Sequence, residues 1–350
     1  MTRRTPTSRF AVTLLLATLS LAGIGLGACG DDDNPAEVQS GSGTLTIYSG
    51  REEEIVGPLF ERYEKESATK LQVRYGESPE LSATILEEAD NSPADVFFSQ
   101  DAGALGVLEK ADRLATLAPA ITKQVDARFR SQAGRWVGTS GRARIVAYNK
   151  EKLRQSALPK SILDFTDRRW KGKIGWAPTN ASFQSFVTAL RKLKGDAAAL
   201  AWLKGIVANE PQTYEKNSAV RDAIASGEIE LGFINHYYVA QARAEEGDDY
   251  PVAIYNPPGG DPGSLINVAG VGILAGSSNT AAAEAFVRFL LSAKAQRFFA
   301  ETTKEYPLAA GVEAERDLVP LDRIEAPDID LSDLDDLQRT VELIEQSGAL

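Results

Sequence analysis

Two adjacent tyrosines, Tyr237 and Tyr238, are the residues whose type and spacing point most directly to chemistry. They follow a predicted strand, 229–234, and lie in the first turn of a predicted helix, 236–244. Successive side chains in that turn diverge by roughly 100°, so both phenols can reach one cleft. A phenol with its ordinary pKa of about 10 binds divalent ions poorly, but a highly charged hard cation displaces its proton. Fe(III) fits such a pair best, and packing of both rings in an aromatic edge is the structural alternative.

The elements that position this pair alternate between strands and helices. This alternation is typical of mostly parallel sheets covered by helices, whose ligands bind at the carboxyl ends of the strands. The sequence therefore predicts an α/β fold with two such lobes. Predicted strands lie at 44–48, 71–73, 95–98, 144–148, 173–176, 229–234 and 264–274, and predicted helices at 55–63, 79–89, 182–192, 197–207, 236–244 and 280–299.

Composition excludes several classes of function. The chain has 350 residues and a formal net charge of -11. The first 28 residues hold three Arg and no acid, so the remainder carries 35 basic and 49 acidic residues, a net charge of -14. Binding of nucleic acid through a basic surface is therefore not expected. One Cys and one His exclude disulfide frameworks and multi-histidine centres, so a bound metal is held mainly by oxygen.

The N-terminal segment is typical of an export signal. A basic start precedes an uncharged apolar run, 11–26, and small residues then lead to Cys29, the only Cys. This arrangement resembles the lipobox of bacterial lipoproteins, and the alternative is an ordinary cleavage site beside a chance Cys. We predict a signal peptide at 1–28, lipidation of Cys29 and a flexible tether at 29–43. The protein is then exported and anchored to the outer face of the membrane.

Six strings after the tether, in order, carry a resemblance to a known family: TIYSGR at 46–51, SPADVFF at 92–98, SGRAR at 140–144, WKGKIG at 170–175, NHYY at 235–238 and EYPL at 305–308. On these strings, most of the region after the tether resembles the periplasmic ferric-iron-binding proteins of bacterial ABC importers. The resemblance implies a two-lobed periplasmic binding protein fold of type II, the Venus flytrap, with hinge strands between the lobes and no enzymatic turnover. We expect one lobe at 44–138 plus about 265–310, and the other at 139–264 plus about 311–350.

The resemblance also implies an iron-ligand set. Two consecutive tyrosines bind iron in this family, and they correspond to Tyr237 and Tyr238. The other lobe supplies a His and a Glu, whose positions hold Glu52 and Gln100 here. Glu52 is still a hard anionic ligand, although it could instead be a solvated acid at a helix start, whereas Gln100 is neutral. Lesser ligand candidates are Tyr148, Glu77 and Asp101.

The family binds a synergistic anion, carbonate or phosphate, beside the iron. Arg142 and Arg144 lie two apart on a predicted strand and so share one face, which suits contact with an anion. Arg51 adds charge behind them, and the alternative is that these arginines pair with surface carboxylates. The residues that match the anion site are Ser140, Gly141, Arg142, Asn180 and Asn235.

These observations predict a monomeric binding protein that captures Fe(III) with an anion and delivers it to a membrane permease and its ATPase. One alternative keeps the fold but binds an oxyanion, a polyamine or a thiamine-like cation. Another is a secreted hydrolase that uses His236, the only His. The acidic tail, 311–350, is expected to be a solvated surface leading into a final helix, because its aspartates lack the spacing of a calcium loop.

Overall fold

The computed structural model describes residues 43–350. The predicted signal peptide, Cys29 and the tether up to residue 42 lie outside the described residues. Within 43–350, every helix is too short or too polar to span a membrane.

The described residues alternate between strands and helices, largely as the sequence predicts. The strands are β1 (Thr44–Ser49), β2 (Lys70–Tyr75), β3 (Val96–Ser99), β4 (Trp136–Asn149), β5 (Ile174–Trp176), β6 (Gln212–Thr213), β7 (Leu231–Asn235), β8 (Val252–Tyr255), β9 (Ile266–Ile273) and β10 (Tyr306–Pro307). The helices are α1 (Glu53–Ser67), α2 (Ser78–Glu88), α3 (Ala102–Lys110), α4 (Pro119–Thr122), α5 (Ala181–Lys194), α6 (Asp196–Ala208), α7 (Asn217–Ser226), α8 (His236–Glu246), α9 (Thr280–Leu290), α10 (Ala293–Phe298) and α11 (Leu337–Ser347).

Strand β4 joins two lobes because it belongs to both of their sheets. Its first part, up to Ala143, pairs with β9 and β10 in the first lobe. From Arg144 onward it pairs with β7 and β8 in the second lobe. All of its residues are buried. The strand order across both lobes is β2-β1-β3-β9-β4-β7-β5-β6.

The parallel strands of both sheets have their carboxyl ends at the space between the lobes. Strands β1, β2 and β3 are parallel, and so are β5, β6 and β7. Helices α1, α2, α3, α5, α7 and α8 begin close to the carboxyl ends of these strands. Strands β4 and β9 run antiparallel to their neighbours, so each sheet is mixed rather than mostly parallel.

Each lobe has an aromatic core beneath its helices. In the first lobe, α1 buries residues at helical spacing, and its Phe60 and Tyr63 pack edge-on against Phe286 of α9. In the second lobe, Phe183 and Phe186 of α5 pack against Trp202 of α6. These contacts hold α1 and α5, whose first turns border the space between the lobes.

The C-terminal tail contacts both lobes, whereas the sequence assigned it to the second. A short 3-10 segment, Leu331–Asp335, lies against α3 of the first lobe, where Trp136 donates a hydrogen bond to Ser332 at 3.2 Å. Helix α11 then packs on the second lobe and buries Leu343 and Ile344 there. The chain therefore crosses between the lobes again just before α11.

Some of the acidic residues of the tail form ion pairs with both lobes. Asp335 lies 3.0 Å from Lys110 of the first lobe and 3.7 Å from Lys192 of the second. Asp336 accepts a hydrogen bond from Arg191 at 2.8 Å. The tail carboxylates thus link basic residues of both lobes.

The predicted helix at 280–299 is two helices. Helix α9 ends at Leu290, and Ser292 caps α10 by accepting a hydrogen bond from the Ala295 amide at 3.3 Å. A Ser side chain at this position competes for backbone donors and favours a helix start, which a pattern of apolar residues alone does not reveal.

The close approach of the tail to α3 predicts an effect on stability. In Gly106→Ala, the added methyl carbon falls 2.1 Å from the Ser332 carbonyl oxygen, so backbone has to move. We expect the free energy of unfolding to fall by about 1–3 kcal/mol. Thermal unfolding followed by circular dichroism measures this loss. Gly276→Ala is the control because its methyl group meets nothing within 4 Å; equal melting temperatures for the two variants would contradict the packing.

Candidate metal and anion site

A cleft of about 800 Å³ lies between the two lobes at the carboxyl ends of their parallel strands. Its first-lobe wall comes from the starts of α1, α2 and α3, and its second-lobe wall from the starts of α5, α7 and α8. Arg142, Arg144 and Asn267 line it from the crossing strands. Helix starts present unpaired N–H groups and the positive end of the helix dipole, which favour a negatively charged group. In the first-lobe wall acidic side chains such as Glu52 and Glu77 already lie at these helix starts.

Tyr237 and Tyr238 are half-buried side by side in this cleft. Their ring centroids are 4.2 Å apart, with 31° between the ring planes. Burial and the neighbouring Tyr238 raise the pKa of Tyr237 well above its ordinary value, although Arg142 acts in the opposite direction. The Tyr237 phenol is therefore neutral at physiological pH unless a strong Lewis acid displaces its proton.

Arg142 and Arg144 both line the cleft and are almost fully buried. Arg142 donates to the Gln100 carbonyl, and Arg144 donates to the Phe233 carbonyl. The Arg144 guanidinium also lies 5.5 Å from the ring centre of Phe183. Within residues 43–350, neither arginine forms a salt bridge with a carboxylate, and the Nε of each has no hydrogen-bond partner.

The charge of these guanidiniums is costly to bury. Burial lowers the pKa of Arg142, with Glu305 opposing the shift, and lowers that of Arg144 to about 9, with Tyr238 and Tyr237 opposing it. With a pKa of about 9, Arg144 is still charged at neutral pH. Two buried positive charges without a carboxylate partner therefore face a cleft into which an anion can enter.

Arg51 is oriented by a buried ion pair beside the cleft. Its Nη1 and Nη2 donate to the two carboxylate oxygens of Glu305 at 2.9 and 3.2 Å. Ser140 donates to the same carboxylate at 2.7 Å. Burial alone would raise the pKa of Glu305, but Arg51, Arg142 and Ser140 hold it below its usual range. Glu305 is thus a carboxylate under the site that sequence reasoning did not single out as functional.

The first-lobe wall presents oxygen groups to the cleft. Glu52 is exposed at the start of α1, with no side-chain capping bond, and Glu77 has the same position at the start of α2. Gln100 and Asp101 follow β3 and are half-buried. Asp101 caps α3 through the Ala104 amide at 3.3 Å, and burial raises its pKa although Arg142 opposes the shift. Glu52, Glu77 and Gln100 thus have side chains free of structural hydrogen bonds within 43–350.

The start of α5 forms a polar corner in the second-lobe wall. Asn180 accepts hydrogen bonds from the amide and hydroxyl of Ser182 at 3.1 and 2.6 Å, and from Asn217 at 3.1 Å. Asn235, which pairs with Arg144 across β7 and β4, is buried next to the tyrosines. Ser182 and Asn217 were not predicted as site residues. The signal for Asn217 is its place at a helix start after a parallel strand.

Three predicted site residues do not line the cleft. Ser140 and Gly141 are buried where β4 pairs with β9 and β10, and Ser140 reaches the site only through Glu305. Tyr148 belongs to the second-lobe core, where burial raises its pKa. Tyr148 lies on the same face of β4 as Arg144, but it is four residues further along the strand. This distance of about 13 Å places it beyond the cleft.

His236 is buried behind the tyrosines rather than solvated. Its Nδ1 accepts a hydrogen bond from the Ala143 amide at 3.1 Å, and its ring stacks on Tyr306 with centroids 4.5 Å apart. Burial lowers its pKa to about 4, although Glu305 opposes the shift. A buried, neutral imidazole in this position does not line the cleft and has no nucleophile to activate there.

Paired phenols and carboxylates make the cleft suited to a hard cation. Among the described residues, no group of three or more His, Cys, Asp or Glu side chains is placed to hold a metal ion by itself. The phenols are hard oxygen donors that lie next to buried positive charge. Such a set can bind a highly charged cation together with an anion.

The fold and the cleft define a two-lobed solute-binding protein, and comparison with known proteins shows its family. A model of the family described as bacterial extracellular solute-binding protein matches residues 59–321. The chain belongs to this family. The prediction of a binding protein rather than an enzyme is thereby confirmed.

The chain is similar to several iron-related proteins over most of its length. It is 33% identical over 317 residues, 90% of this chain and 93% of the other, to the Fe(3+)-binding periplasmic protein of Serratia marcescens. It is 34% identical over 307 residues, 87% and 92% of the two chains, to a major ferric iron-binding protein of Neisseria meningitidis. The resemblance to periplasmic ferric-iron-binding proteins is confirmed.

Solved structures confirm the two-lobed α/β fold. Iron-bound HitA from Pseudomonas aeruginosa matches with a TM-score of 0.80 and 31% identity, covering 87% of this chain and 99% of HitA. The FutA protein of Trichodesmium, in complex with iron and citrate ligands, matches with a TM-score of 0.76 and 29% identity, covering 87% and 99%.

The environment of His236 predicts a titration experiment. Because the chain has one His, its imidazole signal in the ¹H NMR spectrum of untagged protein is unambiguous. We expect no titration between about pH 5.5 and 8, since the folded pKa is about 4 instead of 6.5. The unfolded chain takes up the proton first, so stability contributed by neutral His236 is present above about pH 6.5 and is lost as the pH falls towards 4. A midpoint near 6.5 in the folded protein would contradict the burial.

Proposed function

We propose that this protein captures Fe(III) together with a synergistic anion in the cleft between its lobes. The observation that carries the proposal is the pairing of two adjacent phenols with two buried arginines that lack a carboxylate partner within 43–350. A metal ion that converts the phenols to phenolates supplies positive charge to the tyrosines, and an anion supplies negative charge to the arginines. Neither ligand alone satisfies both sets of side chains.

The phenols favour Fe(III) over divalent ions. A neutral Tyr237 with a raised pKa gives up its proton only to a cation of high charge density. Phenolates from Tyr237 and Tyr238 together with the carboxylate of Glu52 balance three positive charges. Glu52 closes onto the metal from the first lobe when the lobes approach each other. Gln100 stands where the family has a Glu, and we assign it a weaker contact as a neutral oxygen donor.

The arginines favour an anion beside the metal. Arg142 and Arg144 supply the charge, while the start of α5 with Asn180 and the buried Asn235 supply polar groups. Carbonate and phosphate both match this set of donors. Citrate is a further possibility for the anion, because it accompanies the iron in the FutA structure.

The names of the related proteins support this assignment. Proteins from Serratia and Neisseria are described as binding ferric iron, and HitA was crystallised with iron bound. We infer the same cargo for this chain. We also infer that it is an exported lipoprotein anchored through Cys29, that it acts as a monomer, and that it delivers iron to an ABC permease with its ATPase.

The observations disfavour an organic cation as the solute. A polyamine or thiamine-like cation could pair with the acidic side chains of the first-lobe wall, but it would leave Arg142 and Arg144 without an anionic partner and would not use the two phenols. A free oxyanion remains compatible with the arginines but leaves the tyrosine pair without a role. It is therefore the outcome that a test of the tyrosines has to distinguish.

The tyrosine pair predicts a visible signature. Protein loaded from ferric nitrilotriacetate should show a phenolate-to-iron charge-transfer band. The double substitution Tyr237→Phe and Tyr238→Phe should abolish the band and lower ferric affinity by more than about 100-fold, a larger loss than that from removing groups outside the ligand shell. Absorption spectroscopy with citrate competition measures both.

Tyr148→Phe is the matched control for the tyrosine test. It removes a buried phenol from β4, away from the cleft, and should leave the band unchanged. If the double Phe variant kept its band and affinity, or if phosphate bound to the parent protein without any effect of iron, the ferric assignment would be wrong.

The arginines predict an anion effect on ferric binding. Arg142→Ala should weaken the response of the ferric band to added carbonate or phosphate by about tenfold or more, because a hydrogen-bonding charge is removed. Titrating each anion into iron-loaded protein measures the response. Arg113→Ala, which removes a guanidinium paired with Asp90 outside the cleft, is the control. An identical response in parent and Arg142→Ala would place the anion elsewhere.

A further inference from the structure

The carboxylate of Glu305 lies where three distant segments of the chain meet. It accepts two hydrogen bonds from Arg51, at 2.9 and 3.2 Å, and one from Ser140 at 2.7 Å. Arg51, Ser140 and Glu305 are each exposed by no more than 2% of their surface. A carboxylate this deeply buried is stable as an anion only when its partners satisfy it, as they do here.

Each partner of Glu305 leads directly to the cleft. Arg51 immediately precedes Glu52, the first-lobe ligand in the proposed ferric site. Ser140 lies two residues before Arg142 on β4, and both therefore point to the same side of the strand. Glu305 itself precedes β10, which pairs with β4 at Ser140 and Gly141. The carboxylate thus ties the start of α1 to the strand that joins the lobes.

The charges around the cleft give Glu305 a second role. Three buried guanidiniums, those of Arg51, Arg142 and Arg144, surround the floor of the cleft. Glu305 forms a salt bridge with Arg51, and its charge also acts on Arg142. Asp101 also acts on Arg142, but it forms no salt bridge with a guanidinium of the cleft within 43–350. Glu305 is thus the buried carboxylate that pairs directly with one of these guanidiniums and whose charge also reaches a second.

We propose that Glu305 is a positioning residue of the ferric site, which fixes Arg51 behind Glu52 and sets how much positive charge is left to hold the anion. This inference rests on the proposed function. Without the Glu305 charge, Arg51 and Arg142 would repel a ferric ion and attract an anion more strongly. The two ligands therefore respond to Glu305 in opposite directions.

Glu305→Gln tests whether ferric iron and the anion respond in opposite directions, because it keeps the size of the side chain and removes its charge. We expect ferric affinity, measured by citrate competition on the charge-transfer band, to fall about 10- to 100-fold. We expect inorganic phosphate to bind the metal-free variant roughly three- to tenfold more tightly, measured by isothermal titration calorimetry. A substitution that only damaged the structure would weaken the binding of both ferric iron and phosphate. Phosphate binding that weakens together with ferric binding would contradict the inference.

A matched control and a second variant distinguish the role of Glu305 from a general effect of losing a carboxylate and from misfolding. Glu315→Gln makes the same substitution at a carboxylate that pairs with Lys304 outside the cleft, and it should change neither affinity. The double substitution Arg51→Gln with Glu305→Gln removes both members of this ion pair and keeps the net charge, so it buries neither as an unpaired charge and should fold even if the single variant does not. It should bind phosphate like the parent but ferric iron less tightly. A double variant equal to the parent for both ligands would contradict the positioning role.

The parent protein separates failure of this inference from failure of the proposed function. If the parent shows no charge-transfer band with ferric nitrilotriacetate, the ferric function and the role of Glu305 are both wrong. If the parent shows the band and Glu305→Gln binds iron and phosphate as the parent does, only the role of Glu305 is wrong.

Discussion

Strand β4 is a single continuous strand that is hydrogen-bonded into two sheets, and the position of every site residue depends on this constraint. Because the sheets share it, the carboxyl ends of their parallel strands face one another, and six helices begin at the same cleft. Residues far apart in sequence therefore meet there without any dedicated loop. The strand also carries Arg142 and Arg144 across the boundary between the lobes, so positive charge lies at the point about which the lobes would close.

Electrostatic balance then decides what the cleft can hold. Two guanidiniums are buried against carbonyl oxygens and aromatic rings instead of carboxylates, and the facing Tyr237 phenol is held in its neutral form. Both states are costly without a ligand. In the proposed function a ferric ion and an anion would relieve them together, so each ligand should favour binding of the other, and this coupling would be reciprocal. The third buried guanidinium, that of Arg51, is already neutralised by its salt bridge with Glu305.

The sequence predicts the parts of this arrangement that are local. The tyrosine pair, the two arginines on one strand face and the alternation of strands and helices are each visible within a few residues. The partnership of Arg51 with Glu305 is not, because 254 residues separate them and either could pair with many surface charges. The first half of β4 was missed because Gly138, Thr139 and Ser140 interrupt its apolar pattern. The path of the tail over both lobes depends on close approach to glycines of α3, which has no signature in sequence.

The position of the metal tests the account most directly. Crystals of the iron-loaded protein, measured on both sides of the iron absorption edge, give an anomalous difference map in which iron is unmistakable. The account predicts a peak within bonding distance of the Oη atoms of both Tyr237 and Tyr238, with non-protein density between it and Arg142. An iron peak outside the cleft, or a peak in the cleft bound to neither phenol, would contradict it.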